Sequence, residues 1–198
     1  VRLDALGDVL MTTPAFRALK ESEPSRRLTL LTSPAGAAVA PMIPEIDDVI
    51  SYDAPWIKAT PERAASEPDR AMIRQITNYG FDAAVIFTVY SQSPLPAALF
   101  CSLAEIPLRL AHCRENPYQL LTSWIAETEP DQQIRHECRR QLDLVGAIGC
   151  CTRDERMSLR IAGRARDRIG ALLRESKLQT GRWAVIHPGA TAASRRYP

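Results

Sequence analysis

The chain has 198 residues, with 25 Lys and Arg against 23 Asp and Glu, a net charge of +2. That balance gives no general electrostatic claim on nucleic acid, and 45% hydrophobic with 24% charged residues excludes a wholly disordered chain. The length suits one domain, or one and a fraction, able to bury a core without disulfides or metal.

In chain order the sequence alternates strand-like and helix-like segments. Val1-Arg2-Leu3 reads as the end of a strand, and the expectation that follows is a piece of a longer protein. Residues 8–22 place Val9, Leu10, Thr13, Phe16, Ala18 and Leu19 on a broad apolar helical face, with Pro14 as an awkward interior break. Residues 28–32 form a β-rich run closed by Ser33-Pro34, and 48–52 form another. The prolines of 52–68 mark a long excursion. A helix over 69–79 then leads to the apolar run 83–88, as expected of a strand buried on both faces. A buried helix over 95–104 precedes a strand at 108–111, and a short helix is expected within 118–126. Helices over 134–148 and 163–176 flank a weaker strand candidate at 157–160, and 183–186 is the last strand candidate. Strands alternating with helices of this length argue for βαβ units around a parallel sheet, an α/β fold.

The five cysteines include an adjacent pair and no C-x-x-C, so reduced thiols are expected and neither a disulfide framework nor a zinc site. No apolar run approaches a membrane span and no signal peptide opens the chain, which makes a cytoplasmic location the default expectation. Charge is uneven: residues 151–198 hold 11 basic and 4 acidic groups, and residues 1–150 hold 14 and 19. The arginines of the helix at 163–176 read as a solvated face, whereas Arg195 and Arg196 follow a strand end.

Two segments carry chemistry. In Arg2 to Pro14 a strand end runs through a turn at Gly7 into a helix, where ligands of open parallel sheets bind. Unpaired N–H groups at a helix start suit an anion or a sugar hydroxyl. Neither G-x-G-x-x-G nor G-x-x-x-x-G-K-[ST] is present, which disfavours a dinucleotide or P-loop site. The loop instead presents Asp8, which reads equally as a base at the site mouth and as a helix cap. In His187 to Pro198 a strand candidate runs into a loop of small residues, hydroxyls and two arginines. Gly189 permits close backbone approach, and Thr191, Ser194 and an arginine are suited to phosphate oxygens; an ordinary turn with exposed arginines is the plainer reading.

Together the two segments resemble glycosyltransferase family 9, the bacterial heptosyltransferases of lipopolysaccharide core assembly. Arg2 through Pro14 is similar to the family's R-x-D-x-x-G-D-x-x-x-x-x-P, and His187 through Pro198 to its H-P-G motif followed by a basic residue and an aromatic-Pro pair. Asp53-Ala54-Pro55-Trp56, Arg109 and Arg114-Glu115 also look familial.

The resemblance implies a Rossmann-like parallel sheet with helices on both faces, the N-terminal domain of a GT-B fold. Residues 1–180 would bind acceptor, and 181–198 would begin the connection to a donor-binding domain. It implies an inverting, metal-independent transfer from an ADP-activated donor, ADP-heptose above all, to a lipid-linked saccharide, without a cofactor and with peripheral contact at the inner membrane left open. Asp8 would be the general base. Gly7, Thr12, Thr13 and Arg114 would bind the acceptor, Arg114 by pairing with anionic groups on it. Gly189, Thr191, Ser194 and Arg195 would bind the donor phosphates. Two other readings stay open: a non-catalytic acceptor-binding or degenerate module, and a nucleotide-binding domain of another enzyme class.

Overall fold

A computed structural model describes residues 1–58, 60–179 and 181–190. They divide into two compact units, Val1–Arg160 and Ile161–Pro198. In the first unit, helix α1 (Leu6–Ser22) is followed by β1 (Thr29–Thr32), α2 (Pro34–Val39) and β2 (Asp48–Ser51). Then come α3 (Glu67–Tyr79), β3 (Ala83–Ile86), α4 (Leu95–Leu103), β4 (Leu108–Cys113), β5 (Ser123–Ala126) and α5 (Glu137–Gly146). The second unit contains α6 (Gly163–Glu175).

All the strand pairs are parallel: β1 with β2, β3 with β4, and β4 with β5. Residues 1–3 join the two groups. Arg2 bridges Thr32 in parallel and its N–H donates to Leu31 O (2.9 Å). On the other side, Val1 N donates to Val85 O (2.7 Å) and Phe87 N–H donates to Val1 O (3.0 Å). The spatial order is therefore β2, β1, the segment 1–3, β3, β4, β5. This is the doubly wound order, with its reversal between segment 1–3 and β3.

Side chains alternate across this sheet with the two-residue period of a strand. Leu31, Ile86 and Ala111 point to a core shared with Ile76 of α3 and Phe100 of α4. Leu30, Phe87 and Leu110 point to the opposite core, with Val9 and Phe16 of α1 and Leu142 and Val145 of α5. Helices thus cover both faces, as the alternation of elements led us to expect. The five cysteines are unpaired, four of them buried and Cys151 exposed. No helix among the described residues is long and apolar enough to cross a membrane.

Helix α1 absorbs its proline locally. Pro14 has no N–H for the Leu10 carbonyl, and the Thr13 hydroxyl donates to that carbonyl instead (2.7 Å). Two expectations are corrected and a third is extended. Residues 123–126 are a strand, because their main chain pairs with 110–113 of β4. Ser33-Pro34 closes β1 but also opens α2: the Ser33 hydroxyl accepts from Gly36 N–H (3.1 Å) and Pro34 takes the first helical position. Residues 157–160 and 183–186 are not strands, and Val185 and Ile186 are 79% and 85% exposed.

Candidate functional site

The carboxyl ends of the central strands converge on a buried cation. Arg2 lies at the end of segment 1–3 and is 0% exposed. Its Nη2 donates to Glu137 Oε1 at the start of α5 (2.9 Å) and lies 3.4 Å from Asp8 Oδ1. Its Nε lies 3.3 Å from Asp4 Oδ2. A guanidinium stripped of water needs such partners: Glu137 supplies a hydrogen bond and Asp4 and Asp8 supply charge, while Nε and Nη1 make no hydrogen bond among the described residues. Glu137 is in turn held by Gln141 Nε2 (2.6 Å), which also donates to Thr88 O just past β3 (3.0 Å).

Asp8 stands in the first turn of α1. Its Oδ2 accepts the Ala5 N–H (3.1 Å), the acidic half of a capping box, and its side chain keeps 24% of its surface exposed. The sequence left cap and site residue as equal readings. The structure shows the cap directly, and leaves the carboxylate reachable and tethered to Arg2.

A cleft of about 280 Å³ opens at the strand-order reversal. Asp4 stands on its rim, where Gln92 Nε2 donates to Oδ1 (2.7 Å). Leu3, Trp56, Ile57, Phe87 and Ala97 give it an apolar lining. Trp56 is set by ring contacts with Tyr52 and Phe100, each with centroids 5.9 Å apart.

A smaller pocket of about 200 Å³ lies over the end of β4, between residues 90–94 and residues 112–115. It shares Gln92 and Ser93 with the cleft. Its wall is polar. Glu127 follows β5 and receives Arg140 through Nε (3.0 Å) and Nη2. Burial works to raise the Glu127 carboxyl; the Glu129 N–H and the Arg140 guanidinium overcome it and hold it below the usual carboxylate range.

The residues singled out by the sequence separate here. Gly7 is exposed in α1, and a Cβ there would meet nothing. Thr12 and Thr13 are 0% exposed. Their hydroxyls donate to Asp8 O (2.8 Å) and Leu10 O, and Thr13 Oγ1 accepts the Ser158 N–H (2.8 Å). In this arrangement they brace the helix and tie it to Ser158. Arg114 borders the small pocket, but Nη2 donates to Tyr90 O (3.3 Å) and Glu129 O, and Nη1 lies 3.6 Å from Asp131. An anionic substituent would have to compete for it. Gly189 is exposed in the second unit, and Thr191, Ser194 and Arg195 lie outside the described residues.

Sequence reasoning missed Gln92, His112, Glu127 and Glu137. Glu137 had a faint signal, an acidic residue opening an amphipathic helix; the others had none.

No protein-family model matches the sequence, and no curated protein matches it. Solved structures match throughout the chain. A family 9 glycosyl transferase from Veillonella parvula DSM 2008 superposes with a TM-score of 0.68 at 15% identity, over 99% of this chain and 54% of that one. The ADP-heptose lps heptosyltransferase II of E. coli gives 0.61 at 16%, over 90% of this chain and 50% of that one. The E. coli heptosyltransferase WaaC with ADP gives 0.63 at 16%, over 100% and 61%. The chain has the fold of those regions and spans between half and about three fifths of those structures' length.

Proposed function

We propose that this chain is the acceptor-binding part of a glycosyltransferase that moves a sugar from an ADP-activated donor to a hydroxyl of a saccharide acceptor. The likeness of fold to three transferases supports the class. The observation that carries the reading is Asp8: a part-exposed carboxylate at the carboxyl end of the sheet. One buried guanidinium holds it together with the Asp4 that rims the cleft.

A sugar hydroxyl is a weak nucleophile. Asp8 accepts its proton as the oxygen bonds to the anomeric carbon and the carbon–diphosphate bond breaks. A single displacement of this kind inverts the anomeric centre. Arg2, paired also to Glu137, limits the directions in which Asp8 can turn. The developing charge on the diphosphate calls for donors and cations, a role we assign to Gly189, Thr191, Ser194 and Arg195. Heptose as the donated sugar, a lipid-linked acceptor at the membrane face, and transfer without a metal complete the proposal.

The test is ADP release from ADP-heptose by the whole protein, with a lipopolysaccharide-core acceptor and with EDTA present. Asp8→Asn is expected to lower the rate by about 10²–10⁴-fold with little change in acceptor binding. Unchanged turnover in that variant would sink the assignment of the base. Acceptor binding with no ADP release from any nucleotide sugar would favour the non-catalytic module instead.

A further inference from the structure

The ion cluster at the end of segment 1–3 shares one cation unevenly among three carboxylates. Among the described residues the Arg2 guanidinium makes a single side-chain hydrogen bond, from Nη2 to Glu137 Oε1 (2.9 Å). The same nitrogen lies 3.4 Å from Asp8 Oδ1, an ion pair without a hydrogen bond, and Nε lies 3.3 Å from Asp4 Oδ2. Glu137 is fixed where it draws the guanidinium to itself. It stands in the first turn of α5, and its side chain is 16% exposed. Gln141 Nε2 donates to the same Oε1 (2.6 Å) and is anchored in turn on Thr88 O (3.0 Å). Helix α5 packs against α1, so the two helices in contact carry two of the three anions.

This division matters to a group that must take a proton. A cation beside a carboxylate favours its charged form, and a hydrogen bond donated to it favours that form further. Both make the carboxylate a weaker base. With Glu137 in place, the hydrogen bond of Arg2 is spent elsewhere and its charge is offset. Asp8 Oδ2 accepts the Ala5 N–H (3.1 Å), and Oδ1 accepts no hydrogen bond among the described residues. Taking away the charge of Glu137 changes two things together. A neighbouring anion is lost, and the guanidinium turns to Asp8 and Asp4. Both changes favour ionised Asp8. The other charged group at this cluster is Arg140, which meets Gln141 at the Thr88 carbonyl and is committed to Glu127.

We propose that Glu137 is a positioning residue for Asp8: by taking the hydrogen bond of Arg2 and offsetting its charge, it leaves Asp8 held by an ion pair yet basic enough to accept a proton. The proposal concerns the site of the transfer above and rests on that reading for Asp8's being the base. The coupling of Glu137 to Asp8 through Arg2 rests on geometry alone.

The experiment is a ¹³C NMR titration of the protein labelled at its aspartate carboxyls, the Asp8 resonance being the one that Asp8→Asn removes. Glu137→Gln keeps the shape of the side chain and an oxygen for Gln141, and removes the charge. It is expected to lower the Asp8 midpoint by about one pH unit. Glu137→Asp, one methylene shorter but still charged, should move it less. Asp143→Asn takes a carboxylate from the same helix, where it pairs with Arg135 and Arg139, and should leave the midpoint in place. Folding of each variant is checked by circular dichroism. In the whole protein, Glu137→Gln should lower kcat about threefold and move its acid limb to lower pH, with the acceptor KM unchanged. An unmoved or raised Asp8 midpoint in Glu137→Gln, or an equal drop in Asp143→Asn, overturns the proposal. The titration needs no turnover. An unmoved midpoint beside Asp8-dependent ADP release removes the role of Glu137 alone, and a lowered midpoint without ADP release removes the transfer and leaves the coupling.

Discussion

The same sheet edge builds two unlike seats a few residues apart. The cleft between segment 1–3 and β3 is apolar inside, and its polar groups stand on the rim, where Asp4 and Gln92 already satisfy each other. The pocket over β4 is polar inside and leaves one buried nitrogen unpaired. The difference comes from what the neighbouring crossovers deliver. Residues 52–57 and α4 bring Trp56, Ile57 and Ala97 to the first. The segments after β4 and β5 bring Glu115, Glu127 and, through α5, Arg140 to the second. Adjacent strands thus set an apolar, aromatic-edged surface beside a polar one.

Four substitutions or conditions separate the seats. Arg140→Met should cost the most, about 3 kcal/mol in urea unfolding, because buried Glu127 would lose the guanidinium on Oε2 and keep only Arg135, 3.5 Å from Oε1. Its damage should centre on the polar pocket. Gly36→Ala tests the shared frame. A Cβ there would stand 2.0 Å from Thr32 Oγ1 and 2.9 Å from Val9 Cγ2, pushing α2 off β1 and α1 at about 1–3 kcal/mol by the same measurement. Trp56→Ala should act on the apolar cleft, losing two ring contacts worth about 1–3 kcal/mol together, while the His112 resonances stay in place.

The smallest effect is on pH dependence. His112 has a folded pKa below its ordinary 6.5, so its contribution is full above 6.5 and is lost as pH falls through the folded value. Glu127, held below its ordinary 4.5, contributes above that value, and its share is lost further into acid. Denaturation followed from pH 8 to 4 should show stability falling toward acid. The portion just below 6.5 should flatten in His112→Phe.

The parallel sheet was readable because most of its strands and helices differ in length and period, and the entry into α1 was readable because its motif is local. Elsewhere the local signal was ambiguous or silent. Ser33-Pro34 stops a strand and starts a helix with the same two residues, so α2 was hidden behind a correct stop signal. Residues 123–126 were misassigned to a helix because their strand state is set by pairing with β4, which no local pattern announces. Thr12 and Thr13 carry hydroxyls next to a motif, and only burial shows that those hydroxyls serve the helix backbone. Arg2 stood in the motif from the start, but its partner Glu137 lies 135 positions away. His112 is a single histidine in an apolar strand, and only its packing against the main chain of α5 shows that its ring is buried.

The tie between Arg2 and Glu137 also bears on the order of folding. Contacts between distant parts of a chain form slowly, because the intervening loop must close before they repay its entropy. Segment 1–3, α1 and β3 can meet before α5 has been made. The carboxylate that steadies Arg2 arrives only with the last helix of the first unit. Until then a buried-to-be guanidinium and Asp8 have only each other and Asp4. Asp8 is thus made more than a hundred residues before the helix that completes its setting, so nascent chains that end before α5 would carry its motif without its geometry.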